Sequence, residues 1–116
     1  MDRDARFLLD MLLAATRIKG RTDGRSMADL EADPLLLDSV YWQLCVLGEA
    51  AGGLSESFQE EHTEEPWRQI VGIRNRLIHG YRNIDNDVIW EVIQTHIPPL
   101  IAFLSQFVTL EDPDAT

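Results

Sequence analysis

Arg74 and His79 stand five residues apart in Arg74-Asn75-Arg76-Leu77-Ile78-His79-Gly80-Tyr81. They supply an anion-binding fork and a group that moves protons near neutral pH. At about 100° per residue, a helix through this stretch brings Trp67, Ile70, Val71, Leu77, Ile78 and Tyr81 within roughly 60° either side of one direction, with Arg74 at the centre. A guanidinium in the middle of an apolar face demands a partner: a carboxylate, a backbone cluster or a bound phosphate. Glu49, which interrupts an apolar helix, is the carboxylate that would make Arg74 a buried strut between two helices. His79 lies about 140° round from Arg74, with Asn75 one turn before it on its own face, so one straight helix does not aim Arg74 and His79 at one spot. Either the helix end distorts at Gly80, or the two side chains meet across a subunit interface. The plainer alternatives are an ordinary C-terminal capping histidine and, for Tyr81, about 20° from Arg74 and two turns on, a ring that packs the helix end.

Four longer helices must position these groups. Residues 2–19 place Leu8, Met11, Leu12, Ala15 and Ile18 at helical spacing, with Asp2 as cap, Arg17 and Lys19 in the last turn and Gly20 as the stop. Ser26 and Asp29 begin a short helix that ends before Pro34. Asp33-Pro34 then reads as N-cap and first position of a helix running to about Gly52, with Leu37, Val40, Tyr41, Leu44, Leu47 and Ala51 on one stripe. Residues 55–62 add a helical turn or two. Thr63-Glu64-Glu65-Pro66 is a helix start with acids at the positive end of the dipole, and that helix carries Arg74 and ends at His79 with Gly80 as the C′ residue. Asp85 caps a last helix with Ile89, Ile93, Ile97, Leu100, Leu104 and Phe107 inward, kinked or broken where Pro98-Pro99 remove ladder donors. No stretch alternates at period two. The predicted fold is all-α: an antiparallel four-helix bundle with one or two short extra helices, one domain over residues 1–110 and an acidic, frayed tail over 111–116.

The 116 residues, 45% apolar and 26% charged, suffice for one globular core and exclude a disordered or low-complexity chain. Ten basic residues, among them the single lysine Lys19, against 20 acidic ones give −10, which excludes a broad phosphate-binding surface and leaves only local nucleic-acid chemistry. Cys45 has no partner for an intrachain disulfide, which points to a reducing, cytoplasmic setting, and its apolar neighbours make it inert packing. His62, His79 and His96 lack ligand spacing, so neither metal nor cofactor is expected. The charged N-terminus and the lack of any run of ~18 apolar residues predict no signal peptide and no membrane span. Gly48, Ala50, Ala51, Gly52 and Gly53 read as close helix approach or helix termination, since no GxGxxG or Walker pattern follows a strand. Trp42, Trp67 and Trp90 read as core or dimer-interface anchors.

The stretch 74–81 resembles the R-x4-H-x-Y motif of HepT-like proteins, HEPN-superfamily toxins of bacterial and archaeal toxin–antitoxin pairs. Leu47-Gly48-Glu49-Ala50, Pro66-Trp67, Val88-Ile89-Trp90 and Pro98-Pro99-Leu100 extend the likeness over nearly the whole chain. The resemblance implies a HEPN-like α-helical homodimer with the motifs facing each other across a cleft, which would resolve the divergence of Arg74 and His79. It also implies a metal-independent endoribonuclease. RNA can be cut by its own 2′-hydroxyl, which requires proton removal, proton donation and charge stabilisation. His79 would then be general base or acid, with its mate from the second chain in the complementary role, and Arg74 would hold the scissile phosphate. Asn75 would orient His79 or the phosphate, and Glu49 would pair with Arg74 or Arg76. The implied partner is a minimal nucleotidyltransferase antitoxin, MNT, that binds the toxin and transfers AMP to Tyr81, setting a phosphate beside Arg74. A dimer of about −20 would attract RNA only where its cleft gathers Arg74, Arg76 and Arg82. The competing function class is a non-catalytic HEPN module that binds nucleotide or serves the nucleotidyltransferase as substrate and scaffold; a third is a purely structural helical dimer.

Overall fold

The computed structural model describes residues 2–110, and over them the chain is all-helical. The expected tail at 111–116 lies outside the described residues. The helices are α1 (Arg3–Thr22), α2 (Met27–Glu31), α3 (Pro34–Gly52), α4 (Glu56–Glu61), α5 (Trp67–His79), α6 (Asn86–Glu91) and α7 (Ile97–Leu104), with a 3₁₀ turn at Tyr81–Asn83 and a π turn at Val92–His96. Among the described residues no helix is long and apolar enough to cross a membrane.

Side-chain caps set most of the starts. Asp2 accepts from the Ala5 amide at 2.9 Å, Ser26 and Asp29 close a reciprocal capping box, and Asp33 accepts from Leu36 with Pro34 at the first turn. Two boundaries differ from expectation. α1 runs through Gly20 to Thr22, because one glycine weakens a helix by only about 1 kcal/mol and the buried Thr22 hydroxyl closes onto the Ile18 carbonyl at 2.8 Å. The turn comes afterwards, at Gly24 with φ 74°. α5 starts at Trp67 instead of at Thr63, with no acid in its first turn, because the buried Trp67 donates its indole N–H to the His62 carbonyl at 2.8 Å and ties the preceding turn to the end of α4.

The last helical region breaks at Val92–His96, just ahead of Pro98 and Pro99. Neither proline offers an N–H to the preceding turn, and widening that turn relieves the crowding of their rings. Ile93, Ile97, Leu100 and Leu104 stay buried across the break, whereas Phe107, expected on the inner face, lies beyond α7 and partly exposed, in ring contact with Phe58, His62 and Phe103.

α3 packs against both α1 and α5, and α7 packs against α1, around a core centred on Met11, Ile18, Val40, Leu44, Leu47, Ile97 and Leu104. Tyr41 hydrogen-bonds Asn86, which donates to Glu31 at 3.1 Å, so α2, α3 and α6 are tied together beyond the end of α5. The closest helix contact is at Gly48. A Cβ there would sit 3.0 Å from the Ile70 carbonyl oxygen and 3.2 Å from the Arg74 Cβ, while Gly52 faces Val71 at 3.7 Å. α3 and α5 are therefore antiparallel, with Gly48 and Glu49 level with Arg74.

Just beyond the C-terminal end of α3, Asp4 accepts from the Ser55 amide at 2.8 Å and from its hydroxyl at 2.6 Å, and this pair of bonds holds the Asp4 carboxyl below its ordinary range. A carboxyl depressed in the folded state stabilises at neutral pH, and that contribution is lost as pH falls through its folded value. Ser55→Ala, which also removes the α4 cap, is expected to cost about 1 kcal/mol at pH 7 in urea unfolding, and the gap from wild type narrows below the ordinary carboxylate range. Gly48→Val is expected to lose about 1–3 kcal/mol by forcing α3 from α5, whereas Gly20→Ala, in open space, gains up to about 1 kcal/mol. Equal effects at the two glycines would contradict the close contact.

Candidate active site

Antiparallel register fixes what faces Arg74. Its Nε lies 3.0 Å from the Glu49 carboxylate, and the two side chains are 41% and 72% exposed. Arg74 is thus paired as one of the expected readings required, yet it is no buried strut. On α5 only Trp67, Ile70 and Leu77 are buried; Val71 is half-buried, and Ile78 and Tyr81 are 42% and 65% exposed. The reason is that the main cover on α5 is α3, so the buried strip is narrower than the apolar stripe and Arg74 falls on its margin.

The remaining Arg74 contact is a long one, Nη1 to the Asn75 side-chain oxygen at 3.4 Å. Asn75 therefore turns its oxygen toward Arg74 and not toward His79. The other N–H donors of the guanidinium have no protein acceptor among the described residues, which leaves them for an anion.

His79 is the last residue of α5, exposed, with no hydrogen bond or ion pair among the described residues. The helix stays regular up to it: the Gly80 amide closes onto the Arg76 carbonyl at 2.9 Å. No distortion swings His79 round, and the divergence of about 140° from Arg74 stands within one chain. Gly80 ends the helix with φ −107°, outside the left-handed region, and what demands glycine is space, since a Cβ would lie 2.7 Å from the Arg76 oxygen. Beyond it, the 3₁₀ turn leaves Tyr81 at the surface.

Carrying the register one turn along the same face sets Cys45 level with Ile78, with Trp42 a turn further along α3. Trp42 is 66% exposed, whereas Trp67 is buried and Trp90 half-buried. Burial pushes the Cys45 thiol up, against the opposing pull of the Arg74 charge. Arg76 points elsewhere, into a groove of about 610 Å³ between α5 and α7 whose rim includes Glu65 and His96. Burial, with Glu64 adding to it, raises the Glu65 carboxyl there, while His96 opposes. Arg76 is therefore not part of the Glu49–Arg74 cluster. Among the described residues no three His, Cys, Asp or Glu side chains are grouped to hold a metal ion.

Beside Arg74 opens a cleft of about 360 Å³, lined by Arg3 and Phe7 of α1, Gly48, Glu49 and Gly52 of α3 with Gly53 just beyond it, and Val71 and Asn75 of α5. Arg3 and Phe7 escape a sequence reading because an i,i+4 pair in a first helical turn looks like any other; only the packing of α1 on α3 brings them here.

Residues 11–107 match the family model described as "Ribonuclease HepT-like". The chain belongs to the HepT-like ribonuclease family. Similar relatives of this HepT-like chain include the "Putative RNase TTE0752" of Caldanaerobacter subterraneus subsp. tengcongensis, 39% identical over 80 residues that span 69% of this chain and 71% of the relative. The "Probable ribonuclease HepT" of Thermococcus cleftensis is 31% identical over 94 residues, 81% of this chain and 86% of its own. The "Putative RNase MJ1380" of Methanocaldococcus jannaschii is 29% identical over the same shares. No solved structure matches the chain.

Because the ion pair of this HepT-like site is half-exposed, Glu49→Ala is expected to change urea-unfolding stability by less than about 1 kcal/mol. A loss of about 3 kcal/mol or more would mean that Arg74 is left as an uncompensated buried charge.

Proposed function

We propose that this HepT-like chain is the toxin of a HepT/MNT-type toxin–antitoxin module. It acts in the cytoplasm as a metal-independent endoribonuclease, built as a homodimer of HEPN-type bundles and neutralised by a nucleotidyltransferase antitoxin. The reading rests on the match of residues 11–107 to the ribonuclease family, and the exposure of Arg74, His79 and Tyr81 supports it. Two chains are favoured because a regular α5 keeps Arg74 and His79 apart in one chain, and because exposed Trp42, Ile78 and Tyr81 run along the α3–α5 face that carries Arg74. A second copy seated there covers these apolar side chains and brings its own motif across the cleft.

In this mechanism the free donors of Arg74 hold the scissile phosphate and stabilise the charge that grows on it. One His79 takes the proton of the 2′-hydroxyl, the 2′-oxygen attacks phosphorus, and the 5′-oxygen leaves with a proton from the other His79. The products are a 2′,3′-cyclic phosphate and a 5′-hydroxyl. Glu49 and Asn75 are positioning residues that hold the guanidinium from two sides; Arg76, facing the α5–α7 groove, contributes only longer-range positive charge. Control runs through Tyr81: its hydroxyl attacks the α-phosphate of ATP on the antitoxin and pyrophosphate leaves. The resulting AMP diester competes with RNA for Arg74. That Glu49 already occupies one edge of Arg74 favours, as a second reading, a non-catalytic nucleotide-binding or scaffold subunit that is the nucleotidyltransferase's substrate.

Expression of the chain alone is expected to arrest growth and degrade RNA, and His79→Ala or Arg74→Ala to abolish both with unchanged circular dichroism. No arrest and no cleavage, with retained binding to the nucleotidyltransferase, would support the scaffold. Incubated with ATP, Mg²⁺ and the antitoxin, the intact mass is expected to rise by AMP units in wild type and not in Tyr81→Phe. A rise in both would remove Tyr81 from the scheme.

A further inference from the structure

The cleft beside Arg74 has a second cation on its opposite wall. Arg3 holds its guanidinium carbon 5.6 Å from the centroid of the Phe7 ring. The tip of that ring lies over Gly53, where a Cβ would come within 2.5 Å of it. Bare backbone, aromatic ring and guanidinium are thus layered in order, and the layering fixes Arg3 at the cleft mouth without any ion pair or hydrogen bond of its own among the described residues. Of the nearby carboxylates, Asp2 accepts from the Ala5 amide, Asp4 accepts from Ser55 while also feeling the Arg3 charge, Glu49 pairs with Arg74, and Asp10 lines a neighbouring pocket with Arg3 and Phe7. A guanidinium held over a ring keeps its N–H edge free for an anion. The volume of about 360 Å³ falls in the range of ~300–1,000 Å³ typical of small-ligand pockets. Gly52, exposed on the cleft wall, presents bare backbone there, while Gly48 and Gly53 are covered by α5 and by the Phe7 ring.

We propose that Arg3 binds the RNA phosphate next to the scissile one, so that Arg74 and Arg3 grip successive phosphates while the nucleotide between them lies in the cleft beside Gly52. This rests on the ribonuclease reading above. It supplies what a strongly acidic chain needs to hold a single strand: cations on two sides of one cleft. Phe7 and Gly53 are positioning residues for Arg3.

The test uses full-length His79→Ala protein, in which cleavage is blocked, and a fluorescein-labelled mixed-sequence RNA oligonucleotide, followed by anisotropy over a salt series. Adding Arg3→Ala is expected to weaken binding about tenfold and to flatten the slope of log K against log salt by ~0.7, the loss of one phosphate contact on a single strand. Arg3→Lys is expected to restore most of that slope. In the active protein Arg3→Ala is expected to raise KM with kcat unchanged. If Arg3→Ala binds like its parent while Arg74→Ala weakens binding, the Arg3 contact is overturned and the ribonuclease reading survives. Weakened binding with an unchanged salt slope and a lowered melting temperature would mean that Arg3 only packs α1, which also overturns it. If the parent binds no RNA and wild type cuts none, both readings fall together.

Discussion

At Gly48 the backbone of α3 lies against the backbone of α5, 3.0 Å from the would-be Cβ to the Ile70 oxygen, and that contact sets the register on which the site depends. With Gly48 level with Arg74, Glu49 reaches the guanidinium at 3.0 Å. The same register sets half-buried Cys45 level with exposed Ile78, with exposed Trp42 a turn further along α3, while the small residues at the end of α3 leave room for the cleft between α1 and α5. A larger side chain at this one position would part the helices and move the ion pair, the exposed face and the cleft together.

Partial exposure decides what the Glu49–Arg74 pair can do. A fully buried pair is costly to break and would lock Arg74 in a structural role. At the surface the pair contributes at most about 1 kcal/mol, so an incoming phosphate can share or replace the carboxylate without unfolding anything. A net charge of −10 does not prevent this, because the interaction that matters is local and only the long-range attraction of RNA is lost.

Much of this architecture was legible in the sequence because it is written locally. The caps at Asp2, Ser26, Asp33 and Asp85, the buried stripes of α1 and α3, and the end of α5 at His79 follow from side-chain chemistry within a few residues. What was not legible depends on tertiary cover. A helical wheel assigns Arg74 to the middle of an apolar stripe, but α5 has one principal neighbour, and the stripe is only partly covered. Gly20 resembles a stop until the buried Thr22 is seen to extend α1, and the prolines mark a break whose place, Val92–His96, is set by the turn before them. Arg3 and Phe7 lie about 70 residues from Arg74 in sequence, and no periodicity links them to it.

Because α5 is regular through His79, a lone chain keeps Arg74 and His79, the residues of the proposed acid–base site, apart. Membership of the HepT-like ribonucleases makes RNA cleavage the reaction proposed for them. The most direct measurement is end-group analysis of RNA incubated with purified protein in excess EDTA. The expected result is fragments ending in 2′,3′-cyclic phosphate and 5′-hydroxyl, and no cut at a position carrying a 2′-deoxy substitution. Cleavage that requires added divalent metal and leaves 5′-phosphates, or that continues at 2′-deoxy positions, would contradict a reaction driven by the RNA's own hydroxyl with His79 and Arg74.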